Sequence, residues 1–314
     1  LGSLTMILNF NDIIGFGNTP NQLFFNQKSP LTDSNIQSVV DSWISDPTQA
    51  IFTVPSNIPY YGSIGNWNTN QVTNMSNLFL NKTTFNDDIN NWDVSNVVNM
   101  SGMFQGASAF KSDISSWLVN NTNNINLSNM FNGASDFNID ISNWNVSQIT
   151  NMSGMFQDAI AFNININTWR TINLTNMSNM FSGAIAFDQP ITNWTTLNVE
   201  NMSGMFQNAI LFDQYIRVWN TNNVTNYTNM FLGAAKMILN YNGISGFGTT
   251  PTSSFFNQSS VLNNSNIVSV VDSWFFNNNQ AIFTDATNSP YYGPIQNWNV
   301  SAVTNMSELF KNRI

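Results

Sequence analysis

The sequence predicts an α/β repeat fold: a solenoid in which each turn of about 25 residues carries one short strand and one short helix. Three observations predict it. Tryptophan returns at a regular spacing, at Trp67, Trp92, Trp117, Trp144, Trp169, Trp194, Trp219 and Trp298. A constant series of apolar residues follows each tryptophan in the same order. The pattern also repeats on a longer scale, since Leu232 onward aligns without a gap on Leu1 onward, at an offset of 231 residues.

Taken in order, residues 1–66 stand apart from the short repeat. Gly15-Phe16-Gly17, Thr19-Pro20 and Ser29-Pro30 are turn material. Asp33-Ser34 then offers a helix N-cap, and Ile36, Val39, Val40, Trp43 and Ile44 follow at helical spacing. Pro47 closes the element. This is a short amphipathic helix with one apolar face.

From Trp67 the short repeat takes over. Its Met positions (Met75, Met100, Met152, Met177, Met202), its Phe positions (Phe104, Phe131, Phe156, Phe181, Phe206, Phe231) and its Ala positions (Ala107, Ala134, Ala159, Ala184, Ala209) lie three and four residues apart within each turn. That spacing predicts one or two helical turns with a Met/Phe/Ala inner face. Thr73-Asn74 and its equivalents supply an N-cap before it. The Ile-x-x-Trp-x-Val segment alternates with period two, which predicts a short strand with Trp and Val inward. One unit cannot bury such a face alone, so stacked units share a core built on the Trp and Phe columns. The turn from Trp117 to Trp144 is two residues longer than the others. The extra residues fall in 120–124 and are expected to bulge from one face without disturbing the core.

The longer period sets the domain reading: an insert module at 1–66, a seven-turn solenoid at 67–236, a second insert at 237–297, and the start of the next solenoid at 298–314. Each period holds seven turns plus an insert of about 54 residues carrying the helix. Leu1 aligns with Leu232, which follows Met230-Phe231 inside a turn, and Ile314 falls just past Leu309-Phe310. The frame is thus cut mid-pattern at both ends. The expectation is either a stretch of a longer tandem chain or a subunit whose bare ends stack head to tail.

Composition excludes more than it suggests. Only 8% of residues are charged, against about 25% in an average soluble domain. The net charge of −9 is spread along the chain. Such a surface has little repulsion to keep copies apart. There is no Cys and no His, so thiolate chemistry, nucleophilic triads and the commonest metal ligand are missing. Glu200 and Glu308 are the only glutamates, and no tuned acid pair recurs. We therefore expect no enzyme, cofactor or metal. Basic residues are too sparse for a nucleic-acid partner, and no apolar run predicts membrane insertion of this segment.

Two polar patterns recur. Asn74, Asn99, Asn151, Asn176, Asn201, Asn226 and Asn305 occupy one position of the repeat, mostly within Asn-Met-Ser. They are read as a ladder whose amides bond the neighbouring backbone turn upon turn. Asn81 and Asn257, in sequons outside that column, are the better candidate glycan acceptors. The acids Asp87, Asp88, Asp113, Asp140, Asp188 and Asp213 are read as solvated turn residues rather than calcium ligands.

The frame W-x-V-S-x-V-x-x-M-S-x-M-F-x-x-A-x-x-F-x-x-x-I, best seen from Trp92 to Ile114, resembles the repeat of the BspA-like leucine-rich-repeat surface proteins. It covers Trp67 to about Lys236 and Trp298 onward. The resemblance implies a leucine-rich-repeat-like solenoid, exposure on a cell or virion surface, adhesion to host proteins or other cells, and no catalysis. The expected function is a structural protein of an extracellular or surface fibre that associates with itself. The alternative is an adhesin binding a host protein or glycan through the solenoid face.

Overall fold

The structure is a computed structural model. It describes residues 29–311 apart from 56, 58, 120–124, 257–260, 280–291, 293–294, 296–297 and 308. The described α-helices are α1 (Ile36–Ser45), α2 (Ala50–Thr53), α3 (Ala235–Tyr241) and α4 (Ile267–Phe276), with short 3-10 helices at Ile64–Asn66 and Ser253–Phe255. Two strands, β1 (Val261–Asn263) and β2 (Asn299–Ala302), pair in parallel. None of these helices or strands lies between Trp67 and Phe231.

The repeat units do stack, but the strand–helix, leucine-rich-repeat solenoid is overturned. Each turn is built from consecutive tight turns, and neighbouring units meet through isolated parallel bridges such as Asn74 to Asn99 and Asn176 to Asn201. The segment read as helix shows why. In the second turn, the amides of Met103, Gln105 and Ala107 donate to Met100, Gly102 and Phe104, three residues back. The amides between them, from Met100, Gly102, Phe104 and Gly106, donate to Asn126, Ser128, Met130 and Asn132 of the following turn, at 2.7–2.9 Å. A helix satisfies its own backbone. This segment satisfies half of its donors only when a neighbour is present, so it cannot form alone. The segment read as strand likewise closes on itself, the Trp92 amide donating to Ile89.

Left-handed residues enforce this geometry. Along one column, Asn77, Asn129, Asn179 and Asn229 alternate with Gly102, Gly154 and Gly204, all near φ +60°. Asparagine and glycine are the residues that tolerate this region. The alternation follows from packing: each Asn side chain reaches the following turn, and a Cβ at Gly102, Gly154 or Gly204 would overlap the Oδ1 of Asn77, Asn129 or Asn179.

Inside, three aromatic columns run the length of the stack. Phe79, Phe104, Phe131, Phe156, Phe181, Phe206 and Phe231 follow one another at 5.3–6.0 Å, ring over ring. Phe85 to Phe212 form a second column at 5.8–6.1 Å, each ring about 3.8–4.0 Å from the first-column ring of its own turn. The tryptophans Trp67 to Trp219 are buried beside them. Each such side chain contributes about 1.5–3 kcal/mol by leaving water, which drives turn onto turn.

Both ends of this stack are covered. At the first end, Trp43 of α1 meets Trp67 edge-on at 5.9 Å, and Phe52 and Tyr61 pack beside it. The helix is latched by Lys82 to Asp41 at 2.8 Å, by the Trp43 indole to Asp87 at 2.7 Å, and by Asp33. The sequence gives Asp33-Ser34 the role of N-cap. Instead Asn35 stands at that position without a side-chain cap, and the Asp33 carboxylate accepts from the Thr73 amide and hydroxyl and the Asn74 amide. At the far end, Phe231 lies against Phe247 and Phe255, and Tyr227 against Phe256. The Phe231 amide donates to Thr249, and the Arg217 Nε to the Phe255 carbonyl.

The insert is therefore divided between two cores. Met237, Phe255 and Phe256 belong to the core that begins at Leu31. Leu262, Ile267, Val270, Val271, Tyr292 and Leu309 form a second, separate core. That second core starts as the first one does. Trp274 meets Trp298 at 5.8 Å and 87°, as Trp43 meets Trp67 at 5.9 Å and 87°. Asn264 accepts from the Thr304 and Asn305 amides where Asp33 accepts from Thr73 and Asn74. One insert closes the stack before it and opens the stack after it.

Candidate functional surface

The residues singled out from sequence divide into core and surface. Trp67, Trp92, Trp117, Trp144, Trp169, Trp194 and Trp219 are at most 4% exposed, and Phe104, Phe131, Phe156, Phe181, Phe206 and Phe231 are fully buried. The indole N–H groups of Trp92, Trp117, Trp169, Trp194 and Trp219 donate to the carbonyls of Ile64, Ile89, Ile141, Ile166 and Ile191 in the preceding turn. Trp298 is half-buried beside the second core. The column residues hold the stack, and Trp194 and Trp219, with Trp298, also border an open pocket of about 230 Å³.

The asparagine column pairs turn to turn through its backbone, while its side chains bond within their own turns. Parallel bridges join Asn74 to Asn99, Asn151 to Asn176, and Asn176 through Asn201 to Asn226. The side-chain oxygen, expected to bond the neighbouring turn, instead accepts the amide two residues on in its own turn. Asn74 takes Ser76, Asn99 takes Ser101, Asn151 takes Ser153, Asn176 takes Ser178, Asn201 takes Ser203, Asn226 takes Thr228 and Asn305 takes Ser307. These are Asx-turns, and they account for the recurrent asparagine at this position. Asn81 is exposed, with φ +57° and its side chain set over Gly106 of the next turn. Asn257 lies outside the described residues.

A different asparagine column bonds between turns. Asn173, Asn198 and Asn223 donate Nδ2 to the carbonyls of Ser147, Ile172 and Leu197 at 2.7–2.8 Å. This donation leaves the carbonyl end of each amide as an acceptor. With Gln148, Thr150, Thr175 and Glu200 they line an open groove of about 500 Å³. Ile172 and Leu197, close to half exposed, flank that column. The signal for the groove was the Asn four residues after Trp169, Trp194 and Trp219, which the core-directed reading of the repeat passed over.

The acids hold turns. Asp113 and Asp140 accept the amides of Ser115 and Ser142, and bonds from those serines hold both carboxyls below the usual carboxylate range. Asp188 accepts the Asp213 amide at 2.9 Å. Among the described residues no group of three or more acidic, His or Cys side chains could hold a metal ion. No described helix is long and apolar enough to cross a membrane.

Asp33 carries a pH dependence. Burial acts to raise its pKa, but the bonds from Thr73 and Asn74 outweigh it and the net shift is downward. The unfolded carboxyl titrates near 3.9. The contribution of this latch is thus complete above that value and is lost as pH falls through the lower folded pKa. The variant Asp33→Asn places here the neutral residue found at Asn264. In melting curves from pH 7 to pH 2, the wild type is expected to lose its advantage over Asp33→Asn across the acid end of that range. A constant gap would refute the latch.

Set against known families, the chain matches one described as "Mycoplasma protein of unknown function, DUF285", at residues 47–141, 125–247 and 248–314. No curated protein matches the chain.

Proposed function

Because the chain belongs to this family of Mycoplasma proteins of unknown function, matched three times in tandem, we propose that it is a non-enzymatic structural protein of a cell surface. In this reading it works as a long tandem chain of closed blocks. The observation that carries it is the covering of the stack at both ends by halves of the same insert, repeated at the 231-residue offset. Covered ends argue against growth by bare turns stacking head to tail, and favour a covalent string. The similarity of the repeat to BspA-like surface proteins supports an outward location, and the sparsely charged exterior supports close lateral packing with copies of itself.

The test is protease added to intact cells that make the full chain. The expected result is cleavage without lysis, with fragments spaced by one 231-residue block. Resistance until the cells are lysed would exclude the surface location. A ladder without that spacing would exclude the closed block.

A second reading, recognition of a host protein or glycan, is favoured by the groove over Asn173, Asn198 and Asn223. Acceptors repeated once per turn, beside exposed Ile172 and Leu197, suit a ligand rich in hydroxyl donors with an apolar face. Binding to neutral oligosaccharides that Asn198→Ala leaves unchanged would remove this reading.

A further inference from the structure

Asparagine followed by glycine is prone to a spontaneous backbone reaction, because no side chain shields the glycine nitrogen. The pair occurs twice, at Asn132-Gly133 and Asn242-Gly243. The fold treats the two in opposite ways.

At 132–133 the peptide group between the residues is pinned by both neighbouring turns. Its carbonyl accepts the Gly106 amide and its N–H donates to the Gln157 carbonyl, each at 2.7 Å. Asn132 is held as well, its amide donating to the Asn129 carbonyl and its side chain to the Asn129 Oδ1. Both residues are part-buried. The Gly133 nitrogen cannot swing onto the Asn132 side chain without breaking the register of three turns.

Asn242-Gly243 follows α3, in the half of the insert that covers Phe231. Both residues are exposed. The Asn242 amide donates to the Ile238 carbonyl, and the Ile244 amide to the Tyr241 carbonyl. Between these anchors, the Asn242 side chain, the Asn242 carbonyl and the Gly243 amide bond to no described residue. Gly243 stands at φ +87°, with open space where a Cβ would point. The equivalent pair in the first insert is Asn11-Asp12, in which a charged side chain replaces the glycine.

We infer that Asn242-Gly243 is a self-modification site, which turns the amide at 242 into an acid as the protein ages and loosens the cap. The Gly243 nitrogen attacks Cγ of Asn242 and closes a succinimide ring. The N–Cγ bond forms, the Cγ–Nδ2 bond breaks, and ammonia leaves with the proton of the Gly243 N–H. Water then opens the ring on either side of that nitrogen. The products are aspartate or, with the backbone rerouted through the side chain, isoaspartate. One water is taken up and one ammonia released, with no oxidant and no enzyme. The new carboxylate lies at the C-terminus of α3, where the helix carbonyls repel it. That helix sets Met237 in the core and Tyr241 edge-on to Phe255 at 5.5 Å. The reaction does not depend on where the protein resides.

The test is peptide mass spectrometry on the whole chain aged in mildly alkaline buffer, folded and in urea. In the folded chain, position 242 is expected to deamidate at least about tenfold faster than position 132, which reacts only through local opening. In urea the two positions should react at similar rates, since the residue pair is the same. Equal rates in the folded chain, or a faster reaction at 132, would overturn the site. A difference that persists in urea would assign the selectivity to flanking residues and overturn the role of the fold. Hydrogen exchange then compares fresh and aged protein. Peptides covering 235–241 should exchange about twofold to fivefold faster once position 242 has reacted. Those covering 149–156 should stay unchanged. Unaltered exchange at 235–241 would overturn the loosening of the cap.

Discussion

Phe156→Ala is expected to cost about 3–5 kcal/mol, a large share of the roughly 5–15 kcal/mol that holds an ordinary domain folded. The ring is fully buried at the middle of the first phenylalanine column. It stacks on Phe131 at 5.8 Å and Phe181 at 5.6 Å, lies 3.9 Å from Phe162 and reaches Trp169 at 6.3 Å. Removing it opens a cavity bordered by three successive turns. Because the segment around each first-column Phe lends about half its backbone donors to the next turn, the loss weakens two interfaces at once, and neither can close around the void without breaking register. Among the described residues Phe85, at the start of the second column, stacks along that column only on Phe110. Phe85→Ala is therefore expected to cost less. Urea unfolding of the two variants checks the order; equal midpoints would mean that stacking across turns adds nothing beyond burial.

What could be read in the sequence, and what could not, follows from the same packing. The core columns were legible because burial is a matter of period: whatever the backbone does, Trp, Met, Phe and Ala at constant positions must face one another when units stack. The helix at Ile36–Ser45 was legible because its apolar residues are spaced for one helix face and Pro47 ends it. The repeat helix was misread because residues three apart share a face in consecutive tight turns just as they do in a helix. The discriminating signal was present in the glycines. Gly102, Gly154 and Gly204 stand at one position of alternate turns and asparagine occupies it in the turns between. No helix wants such residues in its middle, whereas a left-handed position demands them. The strand was misread for a related reason: alternation over a few residues also arises where a Trp and a Val sit on either side of a tight turn. The division of the insert between two cores was missed because a list of apolar residues does not say which of two neighbouring cores each one enters. It shows only in which ring touches which.

The asparagine–glycine alternation leads to the second large effect. Gly154→Ala introduces a Cβ at φ +61° that would overlap the Oδ1 of Asn129. The left-handed backbone costs an L-residue about 1–2 kcal/mol, and the overlap adds to it because Asn129 is itself fixed near φ +55°. We expect a total of about 3 kcal/mol, within the range of strained core substitutions. The two contributions can be separated. In the double variant Asn129→Gly with Gly154→Ala, the overlap is gone and the left-handed cost remains, so part of the loss should return, leaving about 1–2 kcal/mol. The exchanged pair, Asn129→Gly with Gly154→Asn, keeps composition constant but turns the new side chain at 154 toward Asn179, which is not glycine. That variant should remain destabilised although both residues tolerate the backbone. Full recovery in the exchanged pair would mean that the residue type alone matters. Continued loss would establish that the alternation is directional, each asparagine requiring a glycine in the turn that follows it.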